Sequence, residues 1–188
     1  MITASIVTFS NLSKLDLNSY KEIILRKCII SLCNNNLVSN ILIIDNSLKP
    51  LFSWCLELNN KVIYHHNKGK NLGYGKAHNL SRKLIKLSKY HIIVNPDIVF
   101  LDNKCIDKLF TIMEEDNNIA LVQPLIKSYP ERNIQKLCKR NPTFLIQLIR
   151  LFPALINKVK WMKAYNEWYE MENIAYKKKE VDSQYLSG

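Results

Sequence analysis

An α/β fold, with a Rossmann-like, mostly parallel sheet and helices on both faces, is what this chain of 188 residues predicts. Three observations carry that expectation. Short β-branched apolar runs alternate along the chain with segments whose apolar residues recur at helical spacing. The runs end abruptly in polar turn residues, at Thr8-Phe9, Asp45-Asn46 and Asn95-Pro96-Asp97. The run at 91–94 is apolar on both faces, which is expected of a strand in the middle of a covered parallel sheet.

Each element follows from its local pattern. Residues 2–9 form a short apolar run with no room for a preceding helix, so a buried strand is expected. In 19–33 the apolar side chains Ile23, Ile24, Cys28, Ile29 and Leu32 alternate with Lys21, Arg26 and Lys27, and Asn34-Asn35-Asn36 ends the helix. Residues 38–45 give a second strand, 51–58 a short helix and 61–65 a third strand. Leu80, Leu84, Ile85 and Leu87 line one side of a helix expected over 77–88. A fourth strand at 91–94, a helix at 106–113 and a fifth strand at 119–122, stopped by Gln123-Pro124, complete the alternation. Alternating strands and helices imply a sheet covered on both sides, with chemistry collecting at the carboxyl ends of the strands.

Composition bounds the function. Residues 1–125 read as one α/β domain and 126–188 as a basic, apolar helical extension, and 47% hydrophobic residues suffice for a packed core. Lys and Arg outnumber Asp and Glu by 27 to 16, a formal charge of +11 that favours anionic partners. Cys28, Cys33, Cys55, Cys105 and Cys138 show neither CxxC spacing nor a zinc pattern, as expected of reduced thiols in a cytoplasmic protein. No basic n-region opens the chain and no apolar run reaches the roughly 18 residues of a membrane span, so a soluble or peripheral protein is expected.

The stretch 71–79, Asn-Leu-Gly-Tyr-Gly-Lys-Ala-His-Asn, spends two of only four glycines within three residues. Gly73 and Gly75 are expected to permit positive φ and close backbone approach to a ligand. Lys68, Lys70 and Lys76 add positive charge, and the next helix would turn its amino end to a phosphate. The stretch is neither a P-loop nor a GxGxxG fingerprint; as an alternative, it is a structural turn bearing surface lysines. Asp97, placed by Asn95-Pro96 at a strand end, suits Mg²⁺ or Mn²⁺ bridged to phosphate oxygens, or else it caps a turn. Asp45 either accepts from the imide N–H of a pyrimidine base or closes an Asx-turn with Asn46 and Ser47. His91 reads as a core residue, and His78 borders the loop. Together the glycine stretch and the strand-end carboxylate point to a nucleotide-sugar site.

In the same order, Ile6-Val7-Thr8-Phe9, Ile43-Ile44-Asp45-Asn46-Ser47, the 71–79 stretch and Asn95-Pro96-Asp97 resemble the motifs of family 2 glycosyltransferases. The resemblance is to the rhamnosyltransferase-like branch that builds bacterial surface polysaccharides such as O-antigen and capsule. Gln123-Pro124, Leu137-Cys138-Lys139-Arg140 and Tyr185-Leu186-Ser187-Gly188 also look like that branch. The resemblance implies a GT-A fold, with Asp45 holding the base, Thr8, Phe9 and Asn46 lining it, and Asn71, Gly73, Tyr74, Gly75 and Asn79 flanking ribose and diphosphate. Asp97 would hold the divalent metal, with Asn95 in place of the first Asp of the family's DxD motif. The donor would be a dTDP- or UDP-sugar, dTDP-rhamnose among them, the acceptor a lipid-linked glycan, and the reaction inverting. Family members continue past the Leu-Ser-Gly motif to a Glu-Asp pair that supplies the base. The catalytic base is therefore expected beyond Gly188, the acceptor half is expected to be lacking, and the chain reads as C-terminally truncated.

Two other readings compete. One is a non-catalytic remnant that binds nucleotide-sugar. The other is a basic nucleic-acid-binding module, disfavoured because the lysines are dispersed and no RRM, helix-turn-helix or zinc signature appears; nucleic acid is thus not an expected partner. Residues 142–156 are either a peripheral membrane contact at the inner face of the cytoplasmic membrane or a helix pair that covers the sheet. Glu114-Glu115-Asp116 reads as a solvated helix end.

Overall fold

The computed structural model describes residues 1–11, 19–86, 88–131, 133–134, 138–171 and 185–186. They fall into two compact units, Met1–Val122 and Gln123–Gly188. The first is α/β. Strands β1 (Ile2–Thr8), β2 (Val38–Asp45), β3 (Val62–His66) and β4 (Tyr90–Val94) form an all-parallel sheet of order β3-β2-β1-β4.

Helix α1 (Tyr20–Cys33) starts where Ser19 accepts a hydrogen bond from the Glu22 N–H, and it ends at Asn34. Its Leu25, Cys28, Ile29 and Leu32 pack on Ile2, Ala4 and Ile6 of β1 and on Ile41 and Ile43 of β2. These positions on β1 and β2 are two apart, as strand alternation demands. Burial of each Leu or Ile among them stabilises the unit by about 1.5–3 kcal/mol. A 3₁₀ turn (Ser53–Glu57) precedes β3. On the opposite face Val7, Leu42 and Ile44 pack against Ala77 of α2 (Tyr74–Asn79), flanked by Leu80 and Ile85. Helix α3 (Ser81–Leu84) follows at once, and α4 (Lys104–Glu115) adds Ile106 to the first face. Helices therefore flank the sheet on both sides.

Four expectations need correction. The fifth strand at 119–122 does not form. The Asp116 carboxylate accepts from both the N–H and the side-chain amide of Asn118, and the Ile119 N–H bonds the Asp116 carbonyl. A turn thus occupies the start of the run, and Leu121 is left 69% exposed with no ladder partner among the described residues. Strand β4 lies at the sheet edge rather than its middle, and its Ile93 is 56% exposed. Apolar residues on both faces do not distinguish a central strand from an edge strand with one face left open. The helix expected over 77–88 begins three residues earlier and tightens at Leu80, where i→i−3 bonds (Leu80 N–H to Ala77, Lys83 N–H to Leu80) divide it in two. Gly75 lies inside α2 and does not adopt positive φ; Gly69 and Gly73 do.

The second unit contains α5 (Phe144–Arg150), α6 (Pro153–Ile156) and α7 (Lys160–Tyr169), with Ile146, Ile149, Met162 and Tyr169 buried. Thr143 caps α5, accepting from the Ile146 N–H, and its hydroxyl pairs with the Tyr165 hydroxyl at 3.0 Å. Arg150 pairs with Glu170. A short β5 (Cys138–Lys139) pairs antiparallel with β6 (Tyr185–Leu186), so two segments of the resemblance lie side by side. Leu137, Ser187 and Gly188 lie outside the described residues. No helix among the described residues is long and apolar enough to cross a membrane.

Candidate functional site

Register fixes what meets at the carboxyl edge of the sheet. Thr8 stands opposite Asp45, Asp45 opposite His66, and Ile6 opposite Val94, so Asn95-Pro96-Asp97 leave the sheet beside the end of β1. Asp45 and Asp97 therefore emerge at the same edge, two strands apart.

Asp45 is fully buried. One carboxylate oxygen accepts from the Ser47 N–H at 2.8 Å; the other accepts from the Leu51 N–H at 3.1 Å and the Tyr64 hydroxyl at 2.7 Å. Burial and the adjacent carboxylate both hold the Tyr64 hydroxyl far above its usual pKa, so it stays a donor. The Asn46 N–H bonds the Thr8 carbonyl at 2.9 Å and its side chain accepts from Asn67 at 2.6 Å, while the Asn67 N–H bonds the Asp45 carbonyl at 2.9 Å. Ser47 accepts from the Ser10 N–H through Oγ, and its carbonyl lies 2.9 Å from His66 Nε2. Of the two alternatives for Asp45, this geometry is that of the Asx-turn, extended by Tyr64 into a clamp on the 45–51 loop. Thr8 is buried, its hydroxyl 3.5 Å from the Ile44 carbonyl, whereas Phe9 is half exposed.

The glycine stretch reaches β4. Gly73, at φ +73° and ψ 172°, is the N-cap of α2, and its N–H bonds the Asn71 side chain at 2.9 Å. Only glycine adopts that conformation readily. Upstream, a Cβ on Gly69 would meet the Leu48 carbonyl oxygen and Cδ1 at 3.3 Å, so this turn rests tightly on the 45–51 loop. The Tyr74 hydroxyl donates to Asn95 Oδ1 at 2.8 Å, and its ring meets His78 edge-on at 4.4 Å between centroids. Asn79 is exposed at the other end of α2, about 8 Å along the helix axis from Tyr74.

Asn95 is held from below as well. The Cys28 thiol donates to its carbonyl at 3.7 Å. Burial, with Asp97 nearby, raises that thiol's pKa to about 12, which keeps the proton in place and rules the sulfur out as a nucleophile near neutral pH. Asp97 itself is exposed, and no described side chain bonds its carboxylate. Burial first, and Asp97 second, also raise the Tyr74 hydroxyl pKa. One edge thus carries a clamped loop, a glycine-hinged tyrosine and an exposed carboxylate.

Sequence reasoning missed a polar network under α2. Thr3 Oγ1 lies 2.8 Å from His91 Nδ1, Ser5 Oγ lies 2.8 Å from His91 Nε2, and the same oxygen lies 2.7 Å from His78 Nδ1. His78 Nε2 is buried without a partner. Burial, reinforced by His91, lowers the His78 pKa to about 4, and burial also lowers that of His91. The available signal was Thr3 and Ser5 at alternate positions of an otherwise apolar strand. Glu22 was missed too: it is buried at the start of α1, and burial raises its pKa against the opposing influence of Arg26, which stacks on Trp54 at 4.6 Å.

Among the described residues no three His, Cys, Asp or Glu side chains converge on one point. A divalent cation here would have one protein carboxylate, Asp97, and would draw its other oxygens from phosphate and water, a donor set that suits Mg²⁺ or Mn²⁺. No model of a known protein family matches this chain, and no curated protein does.

Proposed function

We propose that the carboxyl edge of this sheet binds a dTDP- or UDP-sugar, and that this is the donor site of a glycosyltransferase of bacterial surface polysaccharide synthesis. The observation that carries the reading is the Tyr74–Asn95 hydrogen bond. It closes a glycine-hinged loop, flanked by the exposed Lys68, Lys70 and Lys76, onto the strand end that bears Asp97.

The residues divide the work. The lysines, with the first-turn N–H groups of α2, offer positive potential to a diphosphate. Phe9 offers a ring for stacking on a base. Asp45 shapes the wall beside it through the 45–51 loop rather than by touching the base. The Cys28 thiol and Tyr74 hydroxyl fix Asn95, so that Asp97 is presented in one place. A bound Mg²⁺ or Mn²⁺, held by Asp97, would offset the charge that builds on the departing nucleoside diphosphate. Rhamnose is the sugar favoured by the family resemblance, with a lipid-linked glycan as acceptor at the inner face of the cytoplasmic membrane. No described residue is assigned as the general base.

Titration calorimetry with UDP-, dTDP- and sugar-linked nucleotides tests the proposal. Binding is expected to tighten with Mn²⁺ or Mg²⁺, and Asp97→Ala is expected to erase the difference and weaken metal-supported binding about tenfold or more. Equal affinity with and without metal contradicts the role of Asp97. Failure to bind any of these nucleotides contradicts the site.

A further inference from the structure

In the second unit α5 is apolar on two sides. Ile146 and Ile149 are buried, while Phe144, Leu148 and Leu151 follow one another at helical spacing on the outside, Phe144 76% and Leu151 70% exposed, and Phe152, just past the helix, is 55% exposed. Helix α6 buries none of its residues, and Leu155 and Trp161 are exposed as well, 44% and 57%. Charge accompanies it. No Asp or Glu occurs between Glu131 and Glu167, whereas Lys139, Arg140, Arg150, Lys158, Lys160 and Lys163 do. Arg150 is neutralised by Glu170 and Lys163 lies 3.8 Å from Glu167, but Lys158 and Lys160 have no acidic partner among the described residues.

We infer that α5, α6 and the start of α7 dock on an anionic lipid bilayer, with Leu151, Phe152, Leu155 and Trp161 entering the interface and Lys158 and Lys160 meeting lipid phosphates. Charge complementarity chooses this occupant. A second copy of the chain would bring its own lysines against these, and a nucleic acid would leave the leucines and phenylalanines without an apolar environment. A bilayer interface satisfies both, because acyl chains take the apolar side chains while headgroups take the ammonium groups. The inference deepens the peripheral location proposed above but stands on this surface alone, so it can fail while the nucleotide-sugar site holds.

The test is flotation of the full chain with vesicles of neutral phosphatidylcholine, alone or with roughly one-third phosphatidylglycerol. Binding is expected only to the anionic vesicles and is expected to weaken as NaCl rises from about 0.1 M to about 1 M, where the screening length falls from about 10 Å to 3 Å. Each basic group at such a surface contributes about fivefold in partition, so Lys158→Glu with Lys160→Glu is expected to lose about 25-fold or more. Leu151→Ser with Phe152→Ser, at exposed positions that leave the fold intact, is expected to abolish flotation. A control with the same charge change in the first unit, Lys21→Glu with Lys83→Glu, is expected to float nearly as the unmodified chain does. No flotation, equal flotation on neutral vesicles, or an equal loss in the control overturns the inference. So does a dimer that the serine pair dissociates without any effect on vesicle binding.

Discussion

Two glycines two residues apart do opposite things. Gly73 holds φ +73°, so Gly73→Ala is expected to cost about 1–3 kcal/mol even though nothing lies within 4 Å of the new methyl group. Gly75 is an ordinary helical residue in open space, and Gly75→Ala is expected to be neutral or to stabilise by up to about 1 kcal/mol. Chemical denaturation of the two variants checks the contrast; equal effects would mean that the hinge is misplaced. From sequence both glycines looked equally permissive, because spacing does not reveal which of them begins the helix. His78 makes a second residue-level test. Its folded pKa lies below the unfolded value, so the unfolded chain binds more protons between about pH 4 and 6.5. Its neutral state therefore adds stability that is full above that window and is lost as pH falls through it, by about 3 kcal/mol. His91 acts in the same sense, and Glu22, with its raised pKa, in the opposite one. The difference between the unmodified chain and His78→Gln isolates the contribution. Denaturation midpoints measured across the window are expected to fall less steeply with acid in the variant.

At the scale of elements, the strand ends were legible and their linkages were not. β2 ends at Asp45 as its apolar run predicts, and β1 stops at Thr8, because a buried parallel strand leaves an unmistakable run of β-branched residues. The use to which Asp45 is put was hidden, since it depends on Tyr64, which only the β2–β3 register brings beside it. Tyr64→Phe is expected to destabilise the first unit by about 1–2 kcal/mol, and Asp45→Ala by at least about 3 kcal/mol, because the latter leaves the Ser47 and Leu51 N–H groups and the Tyr64 hydroxyl unpaired. Thermal and urea unfolding check both. The missing strand at 119–122 shows the same limit: four apolar residues satisfy a strand pattern, but a strand exists only where another strand supplies its hydrogen bonds.

At the scale of the molecule, the first unit concentrates functional groups at one edge and the second displays an apolar, basic surface. The parallel order made the edge foreseeable, since chemistry gathers where strands end. The closure of the loop over it, through Tyr74 to Asn95, followed from neither motif alone. On the proposed reading, Asp97 and the 71–79 loop meet the same diphosphate. The most direct measurement is paramagnetic broadening of amide resonances in the isotopically labelled chain, with Mn²⁺ added in the presence of UDP or dTDP. Broadening is expected around Tyr74, Asn95 and Asp97, to depend on nucleotide, and to vanish in Asp97→Ala. Broadening centred elsewhere in the chain, or unchanged by the substitution, would contradict the account.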